Sequence, residues 1–156
     1  MMRVKFTAPL FASALFLAAS FSTAAQETAG GSGTPEDPYQ IATAEQLDGI
    51  RENLEASYIL TEDIDLSGFE NWEPVGNMTY SDVNMETGDM DMAKVFSGSI
   101  DGNGHTISNL VCSTDQNMLA VGLFGCFTGT IENLTVENIE VTGDETTMAA
   151  GGVVGY

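Results

Sequence analysis

Residues 107–112 read ISNLVC, and residues 131–136 read IENLTV. At an offset of 24, Ile107 falls on Ile131, Asn109 on Asn133, Leu110 on Leu134 and Cys112 on Val136. Two more pairs flank this one. FSGSI at 96–100 returns as FTGTI at 127–131, and GLFG at 122–125 returns as GVVG at 152–155. Short apolar runs, glycine corners and a recurrence every roughly 20–30 residues describe a solenoid, in which each unit covers the apolar side of its neighbour. The inward Ile, Leu, Val and Phe are each worth about 1.5–3 kcal/mol when fully buried. Asn109, Asn133 and Asn138 suit recurring corners, because Asn tolerates the left-handed region and bonds its own backbone.

Upstream of the repeats, Tyr39-Gln40-Ile41 reads as a short strand. TAEQLDGIRENLEASY then predicts a helix over 44–56. Thr43 is a cap, Gln46 completes a capping box, and Leu47, Ile50 and Leu54 form one apolar face. Tyr58-Ile59-Leu60 and Ile64-Asp65-Leu66 alternate as strands do. The helix is expected to cover the first coil and block its open edge.

Residues 1–25 read as a signal peptide: Arg3 and Lys5 precede an apolar run from Leu10 to Phe21, then small residues at Ser22–Ala25. The run is short for a bilayer span of about 20 residues. Residues 26–38, rich in Gly, Ser and Pro, read as a flexible leader, and 39–156 as the repeat domain. Removing the signal leaves Arg51 and Lys94 against 23 acids. Such a charge excludes nucleic acid and anionic lipid as partners and fits an exported protein, a cationic partner or divalent cations. Export permits a disulfide between Cys112 and Cys126, with a buried free thiol at Cys112 as the alternative.

GLFG, GVVG, DGNGHTISNL (101–110) and YILTEDIDLSGFENWEPVG (58–76) together resemble the GLUG-motif proteins, a family of bacterial exported and surface proteins. The resemblance covers residues 38–156. It implies an all-β fold, a right-handed parallel β-helix, in a longer adhesin-like or peptidase-associated surface protein. The family's repeats continue past the point where this chain stops, so the β-helix is expected to be incomplete at its C-terminus. Its last coil is then open to an end-to-end contact.

Four features invite a chemical reading. His105, the sole histidine, sits in DGNGH; a triad would rest on it alone, and a zinc site would need Cys or carboxylates for its other ligands. Gly102 and Gly104 make the loop a long corner that delivers Ile107 and Leu110 to the core. FTGTIENL skips those letters and keeps the strand. Asp63 and Asp65 flank the inward Ile64, so both acids face water and serve no paired-carboxylate chemistry. Asp82, Asn84, Glu86, Asp89 and Asp91, within residues 77–95, have alternate spacing that suits calcium. The EF-hand pattern fails, since Gly88 comes late and Ala93 stands where the final Glu belongs. The segment is therefore expected to be a solvated insertion, with calcium binding as the alternative. Its methionines offer an adaptable contact surface.

These readings converge on a non-catalytic, secreted or cell-surface repeat module, structural or adhesive. It binds a protein or glycan along the coil surface, without a cofactor and without membrane insertion after signal cleavage. The alternatives are a fragment of a β-helix enzyme acting on polysaccharide or of a peptidase-associated surface protein, and a calcium-stabilised surface module.

Overall fold

A computed structural model describes residues 28–114 and 117–156; the expected signal peptide lies outside them. The described chain is all-β with one short helix. Its elements are β1 (Tyr39–Ile41), α1 (Ala44–Asp48), β2 (Ser57–Leu60), β3 (Ile64–Asp65), β4 (Ser99–Asp101), β5 (Thr106–Ser113), β6 (Ala120–Val121), β7 (Thr130–Glu132), β8 (Thr135–Thr142) and β9 (Ala149–Ala150). They form three sheets, ordered β1-β2-β4-β7, β3-β5-β8 and β6-β9, and every strand pair in them is parallel. In the four-stranded sheet each strand lies beside the one before it, giving four tiers of parallel strands.

The pairing corrects the repeat. Ile100 pairs with Ile131, an offset of 31, and Phe96 bridges Phe127 at the same offset, as the FSGSI and FTGTI match requires. Phe124 bridges Val154, in line with GLFG and GVVG. The offset of 24 does not hold. Ile107 pairs with Val136, Leu110 with Ile139 and Cys112 with Val141, all 29 apart. The change from 31 to 29 has a local cause: four residues, Gly102 to His105, span the corner that Asn133 and Leu134 span in the next tier. DGNGH is the longer corner its glycines foretold.

The helix is shorter than expected. It ends at Asp48 and tightens into a 3₁₀ turn over Gly49–Glu52, where Gly49 weakens α-helical propagation. Thr43 caps it through the Gln46 amide (3.3 Å), but the Gln46 side chain accepts from Ala42 N (2.8 Å), one residue before the cap. Leu47 and Ile50 are fully buried as the spacing foretold. Residues 29–38, expected to be a leader, fold back antiparallel on β1, with Ala29 N donating to Gln40 O and Gln40 N to Gly30 O, both at 2.8 Å. Gly31 (φ 86°) makes that reversal possible, since a Cβ there would meet the Pro38 carbonyl oxygen at 1.9 Å.

The main core runs through all the tiers and contains Leu60, Ile64, Leu66, Trp72, Phe96, Ile100, Ile107, Leu110 and Phe124. Phe96 and Phe127 stack one tier apart, with ring centroids at 5.3 Å and planes 8° apart. Burial falls in the last tier. Leu110 is fully buried, whereas its partner Ile139 is 41% exposed.

Candidate functional site

His105 reaches the side of the tiers. Its Nδ1 lies 3.2 Å from Asp63 Oδ1, and the Thr106 amide donates to the same oxygen at 2.9 Å. The Thr106 amide first, and then His105, hold the Asp63 carboxyl below its ordinary value. An Asp–His pair is the orienting half of a triad. The Ser108 hydroxyl, on β5, serves the neighbouring strand, since its Oγ donates to Ile64 O at 3.4 Å. The pair ties one tier to the next.

Asp65, the other acid of DIDL, does the same. It accepts from Asn109 Nδ2 (2.8 Å) and Ser67 N (2.9 Å), which lower its pKa. Ile64 and Leu66 are buried and both acids exposed, as the alternation requires. Asn109 in turn accepts from Asn138 Nδ2 at 3.3 Å, and Asn133 Nδ2 donates to Asp101 Oδ1 at 2.9 Å. Asn109, Asn133 and Asn138 all have φ between 52° and 60°, the left-handed corners expected of them. The side-chain ladder between tiers was not foreseen. Its one sequence signal is the recurrence of Asn at equivalent corners.

The insertion is built on the tiers. Cys126 N donates to Gly76 O and Phe96 N to Cys126 O, so one residue, Cys126, occupies the place that residues 77–95 fill in the tier before. Leu119 N donates to Met78 O, Thr79 bridges Met118, and Val83 bridges Met90 across a tight hairpin. Met78, Val95, Leu119, Ala120 and Cys126 form a second small core beneath it. Tyr80 Oη donates to Thr146 O at 2.6 Å, fastening the insertion to the last tier.

The side chains of four of the five calcium candidates have other partners here. Asp82 accepts from Lys94 Nζ (2.6 Å) and from Thr79 N (2.9 Å), which hold its carboxyl down at about 2. Asn84 caps the hairpin through Glu86 N, Asp89 accepts from Thr87 Oγ1, and Asp91 caps the 3₁₀ turn at Met92–Lys94. Among the described residues no three His, Cys, Asp or Glu side chains are gathered to hold a metal. The cations are committed too. Arg51 donates to Asp48 Oδ1 (2.8 Å), Pro74 O (2.7 Å) and Glu73 O, and lies over the Trp72 ring at 5.0 Å. Cys112 and Cys126 are unbonded and buried, and burial raises both thiols.

No protein-family model matches the chain, and no solved structure matches it. It is 41% identical over 127 residues to Halomucin of Haloquadratum walsbyi, across 72% of this chain and 1% of that protein. It is 38% identical over 128 residues to a "Putative Gly-rich membrane protein" of Evansella cellulosilytica, across 77% of this chain and 13% of that protein. The chain thus spans a small part of either relative's length.

Proposed function

We propose that the chain is a non-catalytic, exported surface module: a right-handed parallel β-helix, structural or adhesive, that presents a partner with an elongated face of stacked strands. The observation that carries this reading is the use made of the polar side chains that looked chemical. Asp63, His105, Asp65, Asn109, Asp101 and Asn133 are spent on bonds between tiers. Arg51 and Lys94 are held by carbonyl and carboxylate oxygens, which leaves neither as a free base for lyase chemistry. Parallel pairing at offsets of 29 to 31 supports the β-helix. The resemblance to GLUG-motif proteins and the much longer relatives, one of them named a membrane protein, support a repeat unit of a larger surface assembly. The partly exposed row on β7 and β8 supports an end-to-end contact with a further coil.

The test is a screen of the purified chain against plant, algal and bacterial polysaccharides, scored for new chain ends and for retention on the immobilised glycan. Retention without cleavage, equal for wild type and His105→Ala, is expected. Cleavage that disappears in His105→Ala would overturn the reading.

A further inference from the structure

The insertion and the tiers enclose a groove of about 330 Å³ lined by Tyr80, Val83, Met85, Met90, Leu119 and Met148. Its two walls come from distant parts of the chain. The Val83–Met90 hairpin forms one, and the stretches entering β6 and β9 form the other. The Tyr80–Thr146 bond and the second core fix the walls relative to each other. The lining side chains, by contrast, are soft. Met85 is 69% and Met148 63% exposed. Unbranched, polarizable methionines can repack around differently shaped apolar groups.

The rim is acidic. Glu86 follows Met85, Asp89 and Asp91 flank Met90, and Asp144 and Glu145 precede Met148, all exposed. The cation nearest in sequence, Lys94, is paired with Asp82. A second copy of so acidic a chain is repelled from this rim, as is an anionic lipid surface. A cationic segment is attracted.

We propose that this groove docks a short basic segment of a partner protein. An apolar anchor sits among Met85, Met90 and Met148, and the segment's Lys or Arg residues lie along the Glu86, Asp89, Asp91 and Glu145 rim. The inference rests on the chain being a binding module and names the partner's chemistry.

Fluorescence anisotropy with short synthetic peptides tests it. A leucine–lysine peptide is expected to bind the wild-type chain. Its affinity should fall about tenfold or more in the double variant Met85→Gln/Met148→Gln, and again in about 1 M salt, where the screening length is about 3 Å. A serine–lysine peptide of equal charge should bind at least about tenfold more weakly than the leucine–lysine peptide, because it lacks the anchor. Equal binding of the two peptides, or an unchanged affinity in the double variant, overturns the groove. So does binding to phosphatidylcholine vesicles through the same methionines, which would make the groove a lipid contact. Both substituted side chains are exposed, so circular dichroism should be unchanged in the variant. Failure of the groove is then distinct from failure of the module reading, which polysaccharide turnover by the wild-type chain would signal.

Discussion

Asn109 donates its side-chain amide to Asp65 Oδ1 at 2.8 Å, joining the outer face of one tier to that of the next. Its backbone sits at φ 60°, a conformation that lets β5 bend so that Ile107 and Leu110 both point inward. Two costs therefore separate in two substitutions. Asn109→Ala meets the left-handed penalty of about 1–2 kcal/mol and also loses the side-chain bonds to Asp65 and from Asn138. Asn109→Gly loses those two bonds without that penalty. Thermal melting should rank wild type above Gly and Gly above Ala; a stability for Ala equal to that for Gly would contradict the corner.

Gly102 passes close under the following tier. A Cβ there would lie 2.5 Å from Asn133 O and from Leu134 Cα, both fixed backbone atoms. Gly68, by contrast, has nothing within 4 Å. Gly102→Ala should destabilise by about 1–3 kcal/mol or more through forced backbone shifts. Gly68→Ala should change stability by less than about 0.5 kcal/mol. Urea unfolding of both variants measures the difference.

Asp82 contributes to the pH dependence, alongside the lowered carboxyls of Asp63 and Asp65. Lys94 and the Thr79 amide lower the folded pKa of Asp82 from an ordinary 3.8 to about 2. The folded state thus favours the ionised form. That contribution is fully present above about pH 4 and is lost as pH falls through the folded value. The whole acidic chain also loses self-repulsion on acidification, so the useful quantity is a difference. The gap in melting temperature between wild type and Asp82→Ala should be constant above pH 4 and close toward pH 2. A gap that widens with acid would contradict the assignment.

Cys112 and Cys126 lie in separate apolar cores, and burial raises both thiols. The thiolate is the reactive form, so a buried thiol with a raised pKa reacts slowly. Neither should react with a water-soluble disulfide reagent in the native chain on the timescale of minutes, and both should react in denaturant. Rapid native labelling of either would contradict its burial.

The stacking was legible in the sequence where equivalent side chains touch. Phe96 lies on Phe127 and Ile100 on Ile131, so FSGSI and FTGTI keep the same letters. The offset of 24 misled because each tier can use an Asn-centred corner more than once. IENL at 131–134 runs from β7 into the corner after it, while the true counterpart of ISNL is VENI at 136–139. Asn133 and Asn138 share one backbone conformation, so nothing local distinguishes them. Other features depend on partners far away in the chain. Asp63 finds His105, Asp82 finds Lys94, and Tyr80 finds Thr146 only once the tiers are stacked. The foreshortened helix is a milder case, in which Gly49 was visible as a weak point but the change to a 3₁₀ turn was not.

Register is the most direct test of the stacked tiers. Val111 and Glu140 are paired across β5 and β8, and both lie outside the core. Adjacent strands run about 4.8 Å apart, within the Cα separation a disulfide accepts. Under mild oxidation Val111→Cys/Glu140→Cys should form an intramolecular disulfide. Val111→Cys/Thr135→Cys, which has the offset of 24, should not. A cross-link in the second pair and none in the first would contradict the architecture.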